Sequence, residues 1–351
     1  MPGNKTFLRK SAMIGARATG LSALSSRLFG GVGAVFMLHR IGAPQNRSGL
    51  NGFLSCEPGF LDDLFSKLKG EGWRFVSLDE VADRLRAGHV DERFAAVTLD
   101  DGYRDNAEQG APVFRAHSVP YTVFVCPGFI DGDAFLWWEI AARIIETTET
   151  VNVATGGGTM TLDCATPARK QVAYDRLMDY LTSEVDEDTQ RRLMSALAQA
   201  HGIDAQAHCA AEIMDWDALR TLDADPLCTI GAHTIGHFSL KRLDRDRARA
   251  EIEGSAHRIA EMLGTVPRHF AYPYGNASAV GAREVDLARE AGFATAVTTR
   301  HGLLQPAHAG HLLALPRVSL NGEYQHPHYV DTMLSGFTMA LANGGKRLVT
   351  V

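Results

Sequence analysis

Short apolar runs rich in β-branched and aromatic residues alternate along most of this chain with stretches whose apolar positions recur every three or four residues. The first kind reads as buried parallel strands and the second as amphipathic helices. GAVFMLHRI at 33–41 is the first expected strand, followed by a helix at 58–69, the strand WRFVSL and a short helix at 78–87. FAAVTLDDG then ends in two aspartates and a glycine, and a further helix leads to PYTVFVCPGFI. Later strands are PLCTIGAHT, RHFAYPYG, FATAVTT and ALPRVSL, with a strongly helical stretch at 244–263 between two of them. Repeated strand-then-helix order predicts an α/β fold with a parallel sheet or barrel.

Two regions depart from this rhythm. Residues from about 135 to 215 carry a glycine cluster, Gly156 to Gly158, and then charged helical stretches at 167–183 and 186–201. They read as a helical insertion between adjacent core strands. At the amino end, Phe7, Ile14, Leu21, Leu24 and Leu28 fall near one helical face, with basic residues around them. That pattern fits a helix packed on the domain or a frayed arm first, and a helix lying on a membrane surface as the alternative. The expected division is a basic segment at 1–32, a barrel at 33–325 and a tail at 326–351.

Charge sharpens the picture at that end. No acidic residue precedes Glu57, whereas Lys5, Arg9, Lys10, Arg17, Arg27, Arg40 and Arg47 are all basic. Arg17 and Arg27 interrupt any apolar stretch long enough for a cleaved signal, and the uncharged run at 28–38 is too short to cross a bilayer. Neither a signal peptide nor a transmembrane helix is expected, which favours a cytoplasmic protein or one on the inner membrane surface. The whole chain has 351 residues and a net charge of −6, which argues against a nucleic-acid partner. Its five cysteines are widely spaced without any C-x-x-C, so a disulfide framework is not indicated.

Three polar clusters sit at or just past the carboxyl ends of expected strands, the edge where parallel α/β folds assemble active sites. They are Asp100-Asp101-Gly102, the run from His233 to His237, and the run from Ala271 to Gly275. Each has an ordinary reading alone, the first as a polar turn and the second as an incidental histidine pair. Combined, Asp101, His233 and His237 offer one oxygen and two nitrogens to a divalent metal, with positions left open for water and substrate. Asp100 beside them could then take a proton from that water, which makes a hydrolytic site. The same triad also fits a non-haem iron oxygenase.

TLDDG, HTIGH and FAYPYG in this order resemble the motifs of the polysaccharide deacetylase family, carbohydrate esterase family 4, also called the NodB homology domain. The likeness covers roughly residues 33–320. It implies a distorted (β/α) barrel of about seven parallel strands that removes N-acetyl groups from a sugar. By that resemblance Asp100 is the base, while Asp101, His233 and His237 hold the metal, expected to be Zn2+ with Co2+, Ni2+ or Mn2+ as alternatives. Thr234 would steady the histidine loop, and the backbone N–H of Tyr274 would stabilise the oxyanion. A barrel of this kind could also bind carbohydrate without catalysis.

Two departures from the family pattern leave roles to fill. Ala271 stands where the family often has an arginine paired with the base, and Arg317 or Arg40 could supply that charge from another strand. No late L-x-x-H motif provides the general acid. His39, at the end of the first expected strand, is the candidate, with His308 and His311 as alternatives. Tyr272, Trp138 and its neighbours Trp137 and Glu139 are candidates for a sugar platform. The partner is then an N-acetylated poly- or oligosaccharide: peptidoglycan, a chitin-like oligomer, an exopolysaccharide or a lipid-linked precursor.

Overall fold

Seven parallel strands close into a ring in the computed structural model, which describes residues 2–43, 49–88 and 91–351, with side chains from Thr6 onward. The side chains of Lys5 and Arg47 lie outside that description. The strands are β1 (Gly33–Leu38), β2 (Phe94–Leu99), β3 (Tyr121–Val125), β4 (Cys228–Ala232), β5 (His269–Ala271), β6 (Thr295–His301) and β7 (Leu315–Ser319). Each lies beside its neighbours in sequence, and β7 and β2 both pair with β1 to complete the ring. Helices occupy the connections, so the fold is a (β/α) barrel, as the alternating pattern implied.

Several expected strands are shorter than their apolar runs, for identifiable reasons. GAVFMLHRI breaks at His39, and Arg40–Ile41 pairs instead with Ser55–Cys56. Asn106 holds the His39 carbonyl and Asp105 accepts from the Ile41 N–H, which pull the chain out of the ring. WRFVSL contributes only Arg74–Phe75, paired with the start of β2. β5 ends at Ala271, two residues before Pro273, which has no N–H to offer a ladder. The helix expected at 244–263 starts one residue later because Asp244 is its cap, accepting from the Arg247 N–H.

Side chains of each strand alternate between two apolar layers. Val35, Ala96, Phe124, Ala271, Val297 and Leu315 form one cluster, while Phe36, Val97, Leu99, Val123 and Ile230 belong to the larger one. Alternation of this kind follows from the two-residue period of a strand. A tight fit occurs where Phe124 pairs with Gly231: a Cβ on Gly231 would lie 2.5 Å from the Phe124 ring. Phe124 fills space that only a missing side chain provides.

Between β3 and β4 the chain builds a third apolar cluster around Trp137, Ile140, Ile144, Val151, Leu177, Leu181 and Met194. Its elements include Trp137–Thr147, an antiparallel hairpin at 150–163, Pro167–Asp179 and Glu187–Ala200.

At the ends, α1 (Pro2–Ala18) and α2 (Leu21–Phe29) pack against α5 (Pro327–Leu334) and α6 (Phe337–Ala342). The stretch expected as a tail is thus helical and buries Val330, Met333, Leu334 and Met339. Among the described residues no helix is long and apolar enough to cross a membrane.

The Phe124–Gly231 fit is open to test by urea unfolding. Gly231→Ala should cost about 1–3 kcal/mol by overpacking. The same change should cost clearly less in a Phe124→Leu background, because the two positions share one volume. Equal losses in both backgrounds would show that the ring does not depend on Gly231.

Candidate metal and catalytic site

The carboxyl ends of four strands bring the polar clusters together. Asp100 and Asp101 follow β2, and the Asp100 N–H donates to the Leu38 carbonyl of β1. Asp101 takes a left-handed conformation, φ 73°, ahead of Gly102, φ 76°. This turn sends adjacent carboxylates in different directions, at a local cost of roughly 1–3 kcal/mol for a non-glycine residue. His233 follows β4 directly. Thr234 and His237 are also left-handed, φ 64° and 55°, so the run from 233 to 237 is a coiled loop rather than a helical turn.

Asp101 Oδ1 lies 3.5 Å from His233 Nε2 and 3.4 Å from His237 Nε2, with all three side chains almost fully buried. These separations match the edges of a tetrahedron with bonds of about 2.0–2.1 Å, which are roughly 3.3–3.4 Å long. Asp101 Oδ1 has no hydrogen-bond donor. His233 Nδ1 is 2.7 Å from the Ala271 carbonyl, so its proton belongs there and its Nε2 lone pair faces Asp101.

The electrostatics are those of a cation site. Burial penalises a charged His233, yet Asp101 and Asp100 outweigh it and raise its pKa above the usual histidine range. The same pull would act on any cation placed between the three atoms. His237 is walled in by Phe129, Trp138 and Tyr274, with ring centres 6.1, 4.8 and 5.1 Å away. Burial pushes its pKa down to about 3, which leaves it neutral and able to ligate. The residues present therefore fit a divalent metal.

Asp100 is held differently. Both of its oxygens accept from Arg317, at 2.7 Å each, and Arg317 also donates to the Thr298 carbonyl and to Thr98 Oγ1. Burial raises the Asp100 pKa, but the Arg317 charge and its paired hydrogen bonds prevail and hold it well below the usual carboxylate range. Arg317 thus occupies the place opened by Ala271. Arg40 does not, because it pairs with Asp105, Glu139 and Glu212 and lies over the Tyr103 ring. His39 Nε2 is 4.0 Å from Asp100 Oδ2, and its side chain is the most exposed of the group at 23%. His308 is buried against Gln305 and Val349, and His311 sits just before β7 begins, at the opposite end of the barrel.

Three expected roles are not met by the geometry. Tyr272 is fully buried and its hydroxyl donates to the Leu313 carbonyl, so it offers no sugar contact. Trp138 is buried too; its N–H donates to the Tyr103 hydroxyl and its ring flanks His237. It is a wall behind His237, with Trp137 packed beneath it and Glu139 committed to Asn51 and Arg40. The Thr234 hydroxyl is buried without a hydrogen-bond partner, so it does not steady the histidine loop.

Residues without any motif do that work. Glu251, on α4 (Arg245–Leu263), accepts from the Ile235 and Gly236 N–H groups at 3.0 and 2.9 Å. Arg191, on α3 (Glu187–Ala200), donates to the Gly236 and His237 carbonyls at 2.9 and 3.0 Å. Glu187 on the same helix accepts from the Ser239 N–H. Nothing local in the sequence marks these side chains, since their partners lie 15 to 52 residues away.

Tyr274, φ 60°, packs its ring against His237, and its carbonyl accepts from Thr299. Gly275 behind it tolerates the close approach of Thr299, whose N would lie 2.4 Å from an added Cβ.

The architecture is shared with solved deacetylases. The fold is similar to that of the deacetylase PplD of Streptococcus pyogenes, solved with acetate, at 16% identity and a TM-score of 0.56 over 86% of this chain and 97% of that one. It is also similar to IcaB from Ammonifex degensii, at 17% identity and 0.55 over 87% and 97%. A polysaccharide deacetylase from Bacillus cereus aligns at 14% and 0.52, over 86% of this chain and 68% of its own. No curated protein sequence matches the chain. The polysaccharide deacetylase family model matches residues 87–296, well over half the chain and inclusive of both aspartates and both histidines, and the protein belongs to that family.

Proposed function

We propose that the protein is a metal-dependent hydrolase that removes N-acetyl groups from an N-acetylated sugar in a polysaccharide or its precursor. The observation that carries this reading is the pair of adjacent aspartates in opposite roles. One faces two imidazoles with an unpartnered oxygen, and the other is locked as a carboxylate by Arg317. A divalent metal, Zn2+ by the chemistry of one carboxylate and two imidazoles, would supply a Lewis acid and lower the pKa of a bound water.

The chain's own residues do the rest. Asp101, His233 and His237 hold the metal, and Asp100 takes the proton of the attacking water. Arg317 keeps Asp100 ionised and aimed, though it also makes that carboxylate a weak base. His39, on the more open side of Asp100, gives its proton to the departing amine, without which an amide cannot release its nitrogen. The Tyr274 backbone N–H stabilises the oxyanion. An oxygenase built on the same triad has no task for a second aspartate held ionised beside the ligand. A binding barrel has no task for it either.

Three measurements bear on this mechanism. Metal content by mass spectrometry should fall with activity in Asp101→Ala, His233→Ala and His237→Ala, and EDTA should abolish acetate release from N-acetylated oligosaccharides; full metal content in His233→Ala would sink the ligand assignment. Asp100→Asn should retain metal yet lose roughly 10²–10⁴ in turnover. His39→Ala should also keep its metal, lose most turnover and flatten the alkaline limb of the pH–rate profile, whereas His308→Ala and His311→Ala stay mild. A large loss in either of those two would move the acid away from β1.

Arg191 gives a fourth test, because it orders the ligand loop without touching the metal. Arg191→Met should weaken zinc affinity about 10–100-fold in a chelator competition, with Arg191→Lys in between. Unchanged affinity in Arg191→Met would mean that Glu251 alone orders the loop.

A further inference from the structure

The first two helices turn large apolar side chains to water. In α1, Met13 and Ala16 are buried, while Phe7, Leu8 and Ile14 face outward. In α2 no residue is buried, and Leu21, Leu24 and Leu28 face outward as well. These six large apolar side chains are between 47% and 68% exposed. Met13, which belongs to the main apolar cluster, pins α1 to the body, and polar contacts join it. Thr6 donates to Glu323, Arg17 donates to Asp331, and the Lys10 ammonium lies 5.8 Å from the Tyr324 ring centre. A surface helix of a soluble protein ordinarily turns its apolar stripe to the core and its polar side to water. Two successive helices that also expose six large apolar side chains present an apolar surface, and such surfaces mark a binding face.

Charge selects the occupant. The chain as a whole is acidic, at −6, but it has no Asp or Glu before Glu57. Arg9 and Arg27 are exposed on the same two helices. Packed against α2, α6 continues the apolar patch with Leu341, 66% exposed, and exposed Lys346 and Arg347 follow it. Apolar side chains fringed by arginine and lysine, without a carboxylate among them, match an anionic lipid surface. A second copy of this chain suits the face poorly, because self-pairing would bring the same arginines together.

We infer that α1 and α2, with the end of α6, form a membrane-docking face that seats the enzyme on an anionic bilayer surface. The apolar side chains enter the interface between headgroups and acyl chains, and the arginines meet lipid phosphates. The inference does not depend on the catalytic reading, since lipid binding is read without turnover.

The experiment is co-sedimentation of the full chain with phosphatidylcholine vesicles, with and without 30% phosphatidylglycerol. Wild-type protein should pellet with the anionic vesicles and release as salt rises. Phe7→Ser/Ile14→Ser/Leu24→Ser should bind at least tenfold more weakly to the anionic vesicles. Arg9→Gln/Arg27→Gln should lose its preference for anionic over neutral vesicles. Both variants change exposed positions and should keep wild-type thermal unfolding and unchanged hydrolysis of soluble oligosaccharides. Wild-type protein that stays in the supernatant overturns the inference, and so does equal binding by the triple variant. A wild-type dimer in analytical ultracentrifugation that dissociates in the triple variant would assign the face to self-association instead.

Discussion

Arg317 and Asp100 form an ion pair inside the barrel, with the arginine side chain completely removed from water. A buried charge without its partner is far costlier than the pair, and breaking such a pair typically costs about 3–5 kcal/mol. From its own place on β7 the guanidinium donates to two other strands: to the carboxylate after β2 and Thr98 within β2, and to the Thr298 carbonyl of β6. The pair therefore fixes how those strands meet at the catalytic edge. It also keeps Asp100 ionised beside the cluster that Asp101 forms with the histidines. The arginine stands on a different strand from the position where the family often has one, and the bidentate geometry is met all the same.

Backbone strain is concentrated around the same point. Of the five non-glycine residues with left-handed φ among the described residues, Asp101, Thr234, His237 and Tyr274 belong to the three site motifs. Conformations of this kind persist only where the surroundings over-determine them. Here Glu251 takes two N–H groups of the histidine loop and Arg191 takes two of its carbonyls, so the loop is held from both sides. Arg191 comes from the segment between β3 and β4, as do Trp138 and Phe129, which shield His237. That segment thus makes one wall of the Asp101, His233 and His237 cluster and braces its backbone.

The sequence by itself determined the elements and the chemistry carried by short motifs. Strand and helix order followed from apolar period, and the three residues that could hold a metal followed from TLDDG and HTIGH. These are local properties, written within a few residues of one another. Only the tertiary structure decided between Arg317 and Arg40, since the choice rests on which strand ends meet in the ring. It alone withdrew Tyr272 and Trp138 from the sugar-facing surface, because an aromatic residue in a motif carries no sign of the direction it faces. Arg191 and Glu251 were silent for a similar reason: a charged residue on a helix looks the same whether it meets solvent or a loop far away in the chain. The first helices make the point most simply. Periodicity located the stripe of Phe7, Ile14, Leu21, Leu24 and Leu28, but a helical period fixes only the angle between residues. Which side turns to the protein is set by what the rest of the chain packs against it; here Met13 and Ala16 are buried while Phe7, Ile14, Leu21, Leu24 and Leu28 stay exposed.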